Sequence, residues 1–463
     1  MARTFYLESY GCQQNVHDAE RMAGLLEAAG FEAVDDPTLA DIVVINTCSV
    51  RERAEDKLFH RLDEIRYGIG RGPKPVIAVT GCVAQQEGRK LLERAPDISV
   101  IVGTQAMRRL PVLVEHAFTS DDPEPRIDLN PQDDASFPLG IARRGDPVKA
   151  YVTIIEGCND FCAFCVVPYT RGHERMRSVQ EILGDVHEAV ASGRREVQLI
   201  GQIVNHYQAP DDPRCDFAEL LARIDGISGV ERIRFASPHP RHVTPRLIDA
   251  IAHLPRVCKH IHLPVQSGST RVLQAMRRRH SREEYLDLID RLRAAVPGIQ
   301  FSTDMIIGFP GETAADFDET MSLTAAVGYH SMFSFKYSER PMTLASKRLP
   351  DDVPEDEKTA RIVALQAAQK AIQATLHAST VGTDVDVLVD AQSRRREHEV
   401  SGRTTGNTVV NFPGESDWIG RLARVRIERA GPHSLSGTVV AVECGAGGEF
   451  VPAATPADLS PRA

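Results

Sequence analysis

The chain has 463 residues, 42% of them AVILMFWYC and 25% charged, which sets about three globular domains as the starting expectation; no run of ~20 apolar residues could cross a membrane. Nine cysteines are too few, and odd in number, for a disulfide scaffold, so tight Cys spacings are read as metal-ligating or catalytic. A formal charge of −10 argues against bulk electrostatic capture of nucleic acid, so a polyanionic partner needs a local basic surface.

Met1 to Leu7 lacks the apolar core of a secretory leader and runs into a strand pattern, so the expected location is cytoplasmic. Over residues 1–118, strand patterns at Thr4–Tyr10, Asp41–Asn46, Val76–Thr80 and Val100–Val102 alternate with helical ones at Asp18–Ala29, Arg51–Arg66 and Gln86–Arg94. This predicts a doubly wound parallel α/β domain. Cys12, Cys48 and Cys82 lie 36 and 34 residues apart, yet each directly follows a predicted strand. Carboxyl ends of parallel strands share one edge, so the three thiols are expected to converge there. Chance burial of three small apolar thiols is the alternative, and the identical phase in three βα units favours convergence. A second iron–sulfur cluster with one open iron follows as a hypothesis.

Residues 119–147, rich in Asp and Pro and without periodicity, read as a linker. From 148 to 378 the βα alternation resumes, with strands at Tyr151–Glu156, Val197–Gly201, Arg232–Ser237, His260–Val265, Phe301–Ile307 and Met332–Tyr337. Helical stretches at Val179–Ala191, Pro245–His253, Glu283–Ala295 and Ala314–Ala326 separate most of them, and a polar Ala-rich helix, Pro354–Ala378, leads out. Six such units predict an open or partial (β/α)6 barrel rather than a closed eight-fold one. Just after its first strand, Cys158, Cys162 and Cys165 stand at C-x3-C-x2-C spacing, which can wrap three corners of a cubane cluster and leave one iron open. A tetrahedral zinc site needs a fourth ligand, and the nearest downstream candidate, His173, lies eight residues on. Zinc, or an electron-transfer cluster with a distant fourth ligand, is the competing reading. Cys215, Cys258 and Cys444 show no partner spacing and read as structural.

Residues 379–443 carry short β segments at Val385–Val389, Val409–Phe412, Ala423–Ile427 and Gly437–Val442, which predict a small β-barrel. The tail, 444–463, is expected to be disordered. Residues 380–440 hold eight Arg, eight acids and no Lys. Arg394, Arg395, Arg396, Arg421, Arg424, Arg426 and Arg429 could line phosphates and base edges, with 424 and 426 on one strand face. The alternative is a solvated face balanced by its own acids.

The Cys158 stretch resembles the radical SAM (S-adenosylmethionine) superfamily, whose signature has an aromatic residue before the third Cys, here Phe164. The whole layout, about residues 1–442, resembles the radical SAM methylthiotransferases: a three-Cys domain, a radical SAM core and a C-terminal TRAM domain. The resemblance rests on Gly11-Cys12-Gln13-Gln14-Asn15, Asn46-Thr47-Cys48-Ser49-Val50-Arg51 and Thr80-Gly81-Cys82-Val83-Ala84-Gln85. It continues through Cys165-Val166-Val167-Pro168-Tyr169-Thr170-Arg171-Gly172, His262 to Ser269, Ile306 to Thr313, and Gly402-Arg403-Thr404 with Val409 to Gly414.

That resemblance implies a sulfur-transferring enzyme with two [4Fe-4S] clusters, ligated by Cys158, Cys162 and Cys165 and by Cys12, Cys48 and Cys82. It implies two SAM molecules, one methylating a sulfur on the second cluster and one giving the radical that opens C2 of an adenine. Phe164, Gly201, Gln202, Ser237, Gln266, Gly308 and Glu312 are the SAM contacts carried over by position; for the Gly308–Gly311 turn, simple chain reversal is the plain alternative. The implied RNA contacts are Arg394, Arg395, Arg396, Arg403, Arg424 and Arg426. The implied partners are a tRNA anticodon stem-loop and an electron donor such as flavodoxin or ferredoxin, with no membrane, for a monomer. The substrate implied is N6-isopentenyladenosine in tRNA. Rival substrates are threonylcarbamoyladenosine and a ribosomal-protein aspartate, and the non-enzymatic rival is an iron–sulfur electron carrier. Two stretches depart from the family: Gly201-Gln202-Ile203-Val204-Asn205, where Asn usually stands third, and Arg340-Pro341-Met342-Thr343-Leu344, where many have Gly third and Pro fifth. Neither touches a cluster ligand; both fall on the substrate side.

Overall fold

The computed structural model describes residues 3–49, 52–68, 74–120, 124–130, 138, 140–393, 396, 398–444 and 448–452, with the side chains of 52–55 excepted. The first sheet holds β1 (Thr4–Ser9), β2 (Glu32–Ala33), β3 (Ile42–Thr47), β4 (Val76–Gly81), β5 (Ile98–Val102) and β6 (Arg126–Asp128). All are parallel, in the order β2-β1-β3-β4-β5-β6. The buried runs Ile42–Ile45 and Val76–Val79 feed an apolar core on each face, with Met22, Leu26 and Leu110 on one and Leu58, Leu62 and Leu91 on the other. Two features differ from the sequence reading. The helix expected over Gln86–Arg94 breaks into Cys82–Glu87, a tight turn and Leu91–Arg94, because Gly88 sits at φ +54°. β6 adds an edge strand inside the Asp- and Pro-rich stretch.

The central domain strings its strands as a partial barrel. β7 (Lys149–Thr153) is followed by a short hairpin, β8 (Ile155–Glu156) with β9 (Arg175–Met176), that brackets the Cys158 loop. Then come β10 (Glu196–Ile200), β11 (Arg232–Phe235), β12 (His260–His262), β13 (Gln300–Ile307) and β14 (Ser331–Lys336). They form two parallel three-stranded sheets, β11-β10-β7 and β12-β13-β14, joined by a bridge from Ile233 to Val257. The helices between them start at capping boxes such as Ser178–Glu181 and Ser281–Glu284. Alternation sorts the strand residues. Phe301, Thr303, Met305 and Ile307 point outward and are buried, whereas Ser302, Asp304 and Ile306 point into the barrel.

The C-terminal domain comprises β15 (Asp384–Gln392), β16 (Glu399–Thr404), β17 (Val409–Pro413), β18 (Leu422–Ala430), β19 (Leu435–Glu443) and β20 (Phe450–Pro452). Pairing of β17 with β19 closes five of these into a barrel around Val387, Val400, Phe412 and Val425. β20 pairs outside β19, so part of the tail expected to be disordered is a strand; residues 453–463 lie outside the described residues.

Buried arginines fasten this barrel to the strand-start end of the central one. Arg232 donates to the Asp386 and Arg403 carbonyls, and Arg234 to those of Thr404 and Thr405. Arg195 pairs with Glu443 at 2.7 Å. Gln300, first residue of β13, accepts from Thr408 Oγ1 at 3.2 Å.

Candidate functional site

The opposite, strand-finishing end carries the six cysteines of interest. Cys12 follows β1, Cys48 follows β3 and Cys82 follows β4, at the point where the strand order reverses. Gly11, at φ +128°, lies so close to Cys48 that a Cβ there would collide with the Cys48 Cβ. Cys12 caps the helix Gln13–Ala28, and Cys82 opens the helix that Gly81 caps. The amide ends of both helices favour negative charge on these sulfurs. A hydrogen bond with Cys48 lowers the Cys12 thiol to about 6 against the opposing effect of burial, with the Arg171 charge adding to it. Burial pushes the Cys82 thiol up, and Arg171 and Cys12 are both near enough to act on it.

Arg171 belongs to the other domain. Its guanidinium donates to Asp18 Oδ2 at 2.7 Å and to Asn15 Oδ1 at 3.3 Å, and the Cys12 thiol reaches the same Asn15 oxygen at 3.3 Å. Burial opposes the charge on Arg171, but Asp18 and the thiols beside it hold its pKa well above the ordinary value. The two domains meet at further points. Thr104 Oγ1 and Gln105 Nε2 donate to the Thr170 and Arg171 carbonyls at 2.5 and 2.9 Å. Gln14 Nε2 donates to Thr153 Oγ1 at 3.0 Å, and Gln198 Nε2 to Gln13 Oε1 at 3.1 Å.

The Cys158 loop is pinned by its backbone. Cys158 N–H donates to the Gly172 carbonyl at 3.1 Å, Ala163 N–H to Met276 at 2.9 Å and Cys165 N–H to Cys162 at 3.0 Å. Asp160 N–H reaches Cys158 Sγ at 3.5 Å, and Arg278 Nη1 reaches Cys162 Sγ at 3.7 Å. Burial raises the Cys158 thiol to about 11 and that of Cys165 to about 12, each with a contribution from neighbouring Cys charge. Cys162 thus lies near enough to act on both other thiols of the loop, and metal binding would deprotonate the ligating thiols. Among the described residues no three His, Cys, Asp or Glu side chains are close enough to bind a single metal ion. A cubane asks for something different, since each thiolate ligand takes its own iron corner. Two converging trios of thiols fit two such clusters.

The remaining expected contacts line the same end. Phe164 packs against the apolar cluster that includes Ala163, Phe309 and Tyr337. Gly201 and Gln202 directly follow β10. Ser237, at φ +59°, and Gln266, at φ +78°, hold left-handed backbone at the ends of the β11 and β12 segments. Strain of this kind is concentrated at binding sites. Glu312 is turned inward: its Oε1 accepts from Gly308 N–H at 2.9 Å and from Arg361 at 2.8 Å, and its side chain is 1% exposed. It therefore braces the Gly308 turn from behind. At the far domain, Arg424 pairs with Asp386 at 2.9 Å, Arg426 with Asp384, Arg396 with Glu399 at 3.1 Å, and Arg403 with Asp390 at 3.6 Å. The basic face read from sequence is thus an ion-paired one. Arg394 and Arg395 lie outside the described residues.

Sequence reading left Arg171, Asp18, Thr104, Gln105 and Arg278 without a role. The one available signal is that Arg171 and Asp18 each stand six residues beyond a cluster cysteine, Cys165 and Cys12.

Comparison with known proteins agrees with this arrangement. Residues 4–103 match the family described as Uncharacterized protein family UPF0004, residues 152–324 the Radical SAM superfamily and residues 378–440 the TRAM domain. A tRNA-2-methylthio-N(6)-dimethylallyladenosine synthase from Solibacter usitatus is 42% identical over 95% of this chain and 98% of its own. Proteins of the same name from Carboxydothermus hydrogenoformans and Acidithiobacillus ferrooxidans are 41% and 44% identical, each over 95% of this chain and 99% and 98% of their own. Among solved structures, the radical S-adenosylmethionine methyltransferase TsrM from Kitasatospora setae superposes with TM-score 0.56 at 14% identity, over 75% of this chain and 77% of its own; the likeness is one of fold.

Proposed function

The chain belongs to the tRNA-2-methylthio-N(6)-dimethylallyladenosine synthases, and we propose that it places a methylthio group on C2 of N6-isopentenyladenosine beside the tRNA anticodon. The carrying observation is that Arg171, on the loop after the Cys158 trio, reaches Asp18 and Asn15 beside Cys12, which brings the two thiol trios to one mouth.

We assign Cys158, Cys162 and Cys165 to the cluster that binds SAM, and Cys12, Cys48 and Cys82 to the second cluster. Three thiolates per cluster would leave one iron of each without a protein ligand, open to SAM in one and to the transferable sulfur in the other. When bound, two [4Fe-4S] clusters and SAM supply the radical, methyl and sulfur chemistry. The chain's own residues hold that chemistry in place. Phe164, Gly201, Gln202, Ser237, Gln266 and Gly308 surround SAM, with Glu312 fixing the Gly308 turn. Gln14, Thr104, Gln105 and Arg171 hold the two thiol trios in register across that mouth. Holding reactants in this way is a large part of any catalytic gain.

The anticodon stem-loop is gripped by Arg394, Arg395, Arg396, Arg403, Arg424 and Arg426. The ion pairs of Arg424 and Arg426 are exposed, and exposed pairs contribute only ~0–1 kcal/mol, so phosphates can replace Asp384 and Asp386 at little cost. A flavodoxin or ferredoxin supplies the electrons, and the chain works as a monomer in the cytoplasm. Among the described residues no helix is long and apolar enough to cross a membrane.

Two measurements test this reading. Anaerobically reconstituted protein should hold roughly eight irons per chain, falling to about four in C12A/C48A/C82A. Mass spectrometry of tRNA nucleosides from a deletion strain should show 2-methylthio-N6-isopentenyladenosine missing and its isopentenyl precursor accumulating; an unchanged nucleoside profile would refute the assignment.

A further inference from the structure

The inward face of β13 carries Ser302, Asp304 and Ile306, and that of the last strand, β14, carries two aromatic rings. In the register of β13 and β14, Phe333 stands opposite Asp304 and Phe335 opposite Ile306, so both rings share the inward face. The alternate residues point the other way, where Ser334 accepts from Gln366 and Lys336 meets Glu355 of the outer helix Glu355–Ser379. Phe333 is 51% exposed and Phe335 38%, in the middle of a strand whose outward side is covered.

Exposed apolar surface inside a concavity marks a place where something apolar binds. The patch has clear borders. Above it, Ile306 packs into the cluster that includes Ala163 and Phe164 of the Cys158 loop. Below it, the Phe333 ring lies edge-on to His262 at 6.0 Å, and His262 Nε2 is 3.4 Å from Asp304 Oδ1. In the described sheet β14 pairs only with β13, so this wall stands at the open flank of the partial barrel.

We propose that Phe333 and Phe335 receive the isopentenyl arm of the target adenosine and so select the isopentenylated base over plain adenosine. The inference rests on the substrate reading above. A five-carbon arm without a hydrogen-bonding group gains free energy only against apolar surface. The neighbouring Asp304 and His262 offer it none. An arm laid on these two rings would lie beside Ile306, which packs into the same cluster as Ala163 and Phe164 of the Cys158 loop.

The test compares two anticodon stem-loop RNAs, one with N6-isopentenyladenosine and one with adenosine, binding to the reconstituted holoenzyme. Wild type should prefer the isopentenylated RNA by about ten-fold, the scale on which apolar pockets discriminate small alkyl groups. F333A/F335A should lose that preference with unchanged affinity for the adenosine RNA, and F333L/F335L, which keeps apolar surface, should retain it. If F333A/F335A keeps the preference while wild type still forms the methylthio product, the inference falls and the substrate reading stands. If wild type leaves the isopentenylated RNA unmodified in the presence of SAM and reductant, the substrate reading falls and takes this inference with it.

Discussion

Arg171 and Asp18 form a buried ion pair at 2.7 Å that joins a loop of the central barrel to the first helix of the N-terminal domain. Asp18 is wholly buried, so its charge has no other recourse than this guanidinium and the groups around it. Removing one member of a buried pair typically costs about 3–5 kcal/mol, whereas replacing both by apolar groups can be neutral. R171A should therefore lower the unfolding midpoint sharply, and R171M/D18L should recover most of it without recovering methylthio transfer. Calorimetry and product analysis check the two halves separately; full stability in R171A would remove the pair from the account.

Gly11 offers a narrower probe of the second cluster. A Cβ at this position meets Cys48, while one at Gly30, also left-handed at φ +91°, meets nothing within 4 Å. G11A should drop the iron content to about half, leaving the Cys158 cluster loaded. G30A carries similar backbone strain and should keep its iron. Equal iron in both variants would mean that packing at Gly11 does not shape the site.

Met342 departs from the family at a position where many members have glycine, and it holds φ +69°. A left-handed conformation costs a side-chain-bearing residue roughly 1–2 kcal/mol. Part of that is offset by the entropy glycine adds to the unfolded chain, so M342G should stabilise by about 0.5–1 kcal/mol. M342A should give no comparable gain. Thermal unfolding of the holoenzyme decides it, and a lower midpoint for M342G would contradict the argument.

Arg424 and Arg426 each face an aspartate on the neighbouring strand. If phosphates displace those aspartates on binding, R424A/R426A should reduce the salt dependence of tRNA affinity by about two units in a log–log plot, one for each contact. D384N/D386N, which frees both guanidinium groups, should tighten binding at low salt. An identical slope in wild type and R424A/R426A would place the RNA contacts elsewhere.

What could be read from the sequence follows the range of its signals. Cys12, Cys48 and Cys82 were legible because a parallel sheet puts every strand end on one edge, so phase within the βα unit stands in for proximity. The proximity of Cys158, Cys162 and Cys165 was legible from spacing alone. Arg171 was not, because its partners lie 153 and 156 residues away and no periodicity reports on such a contact. β6 is three residues long, too short for alternation to register against an Asp- and Pro-rich background. Glu312 was read as a SAM contact, and only the structure shows that Arg361, from a helix 49 residues on, claims its carboxylate. The acids opposite Arg424 and Arg426 were visible as composition, and strand register was needed to show that each faces its arginine.

If the tRNA also touches the C-terminal barrel, the attachment of that barrel at the strand-start end sets a minimum size for the substrate. β13 is eight residues long, so at about 3.3 Å per residue its two ends stand roughly 23 Å apart. A nucleic acid that touches the C-terminal barrel with one part and offers a base to the thiol-lined mouth with another must bridge that span. A free nucleoside or a trinucleotide is too short to do so; a base-paired stem with its closing loop is long enough, and its stiffness keeps the reach constant from one tRNA to the next.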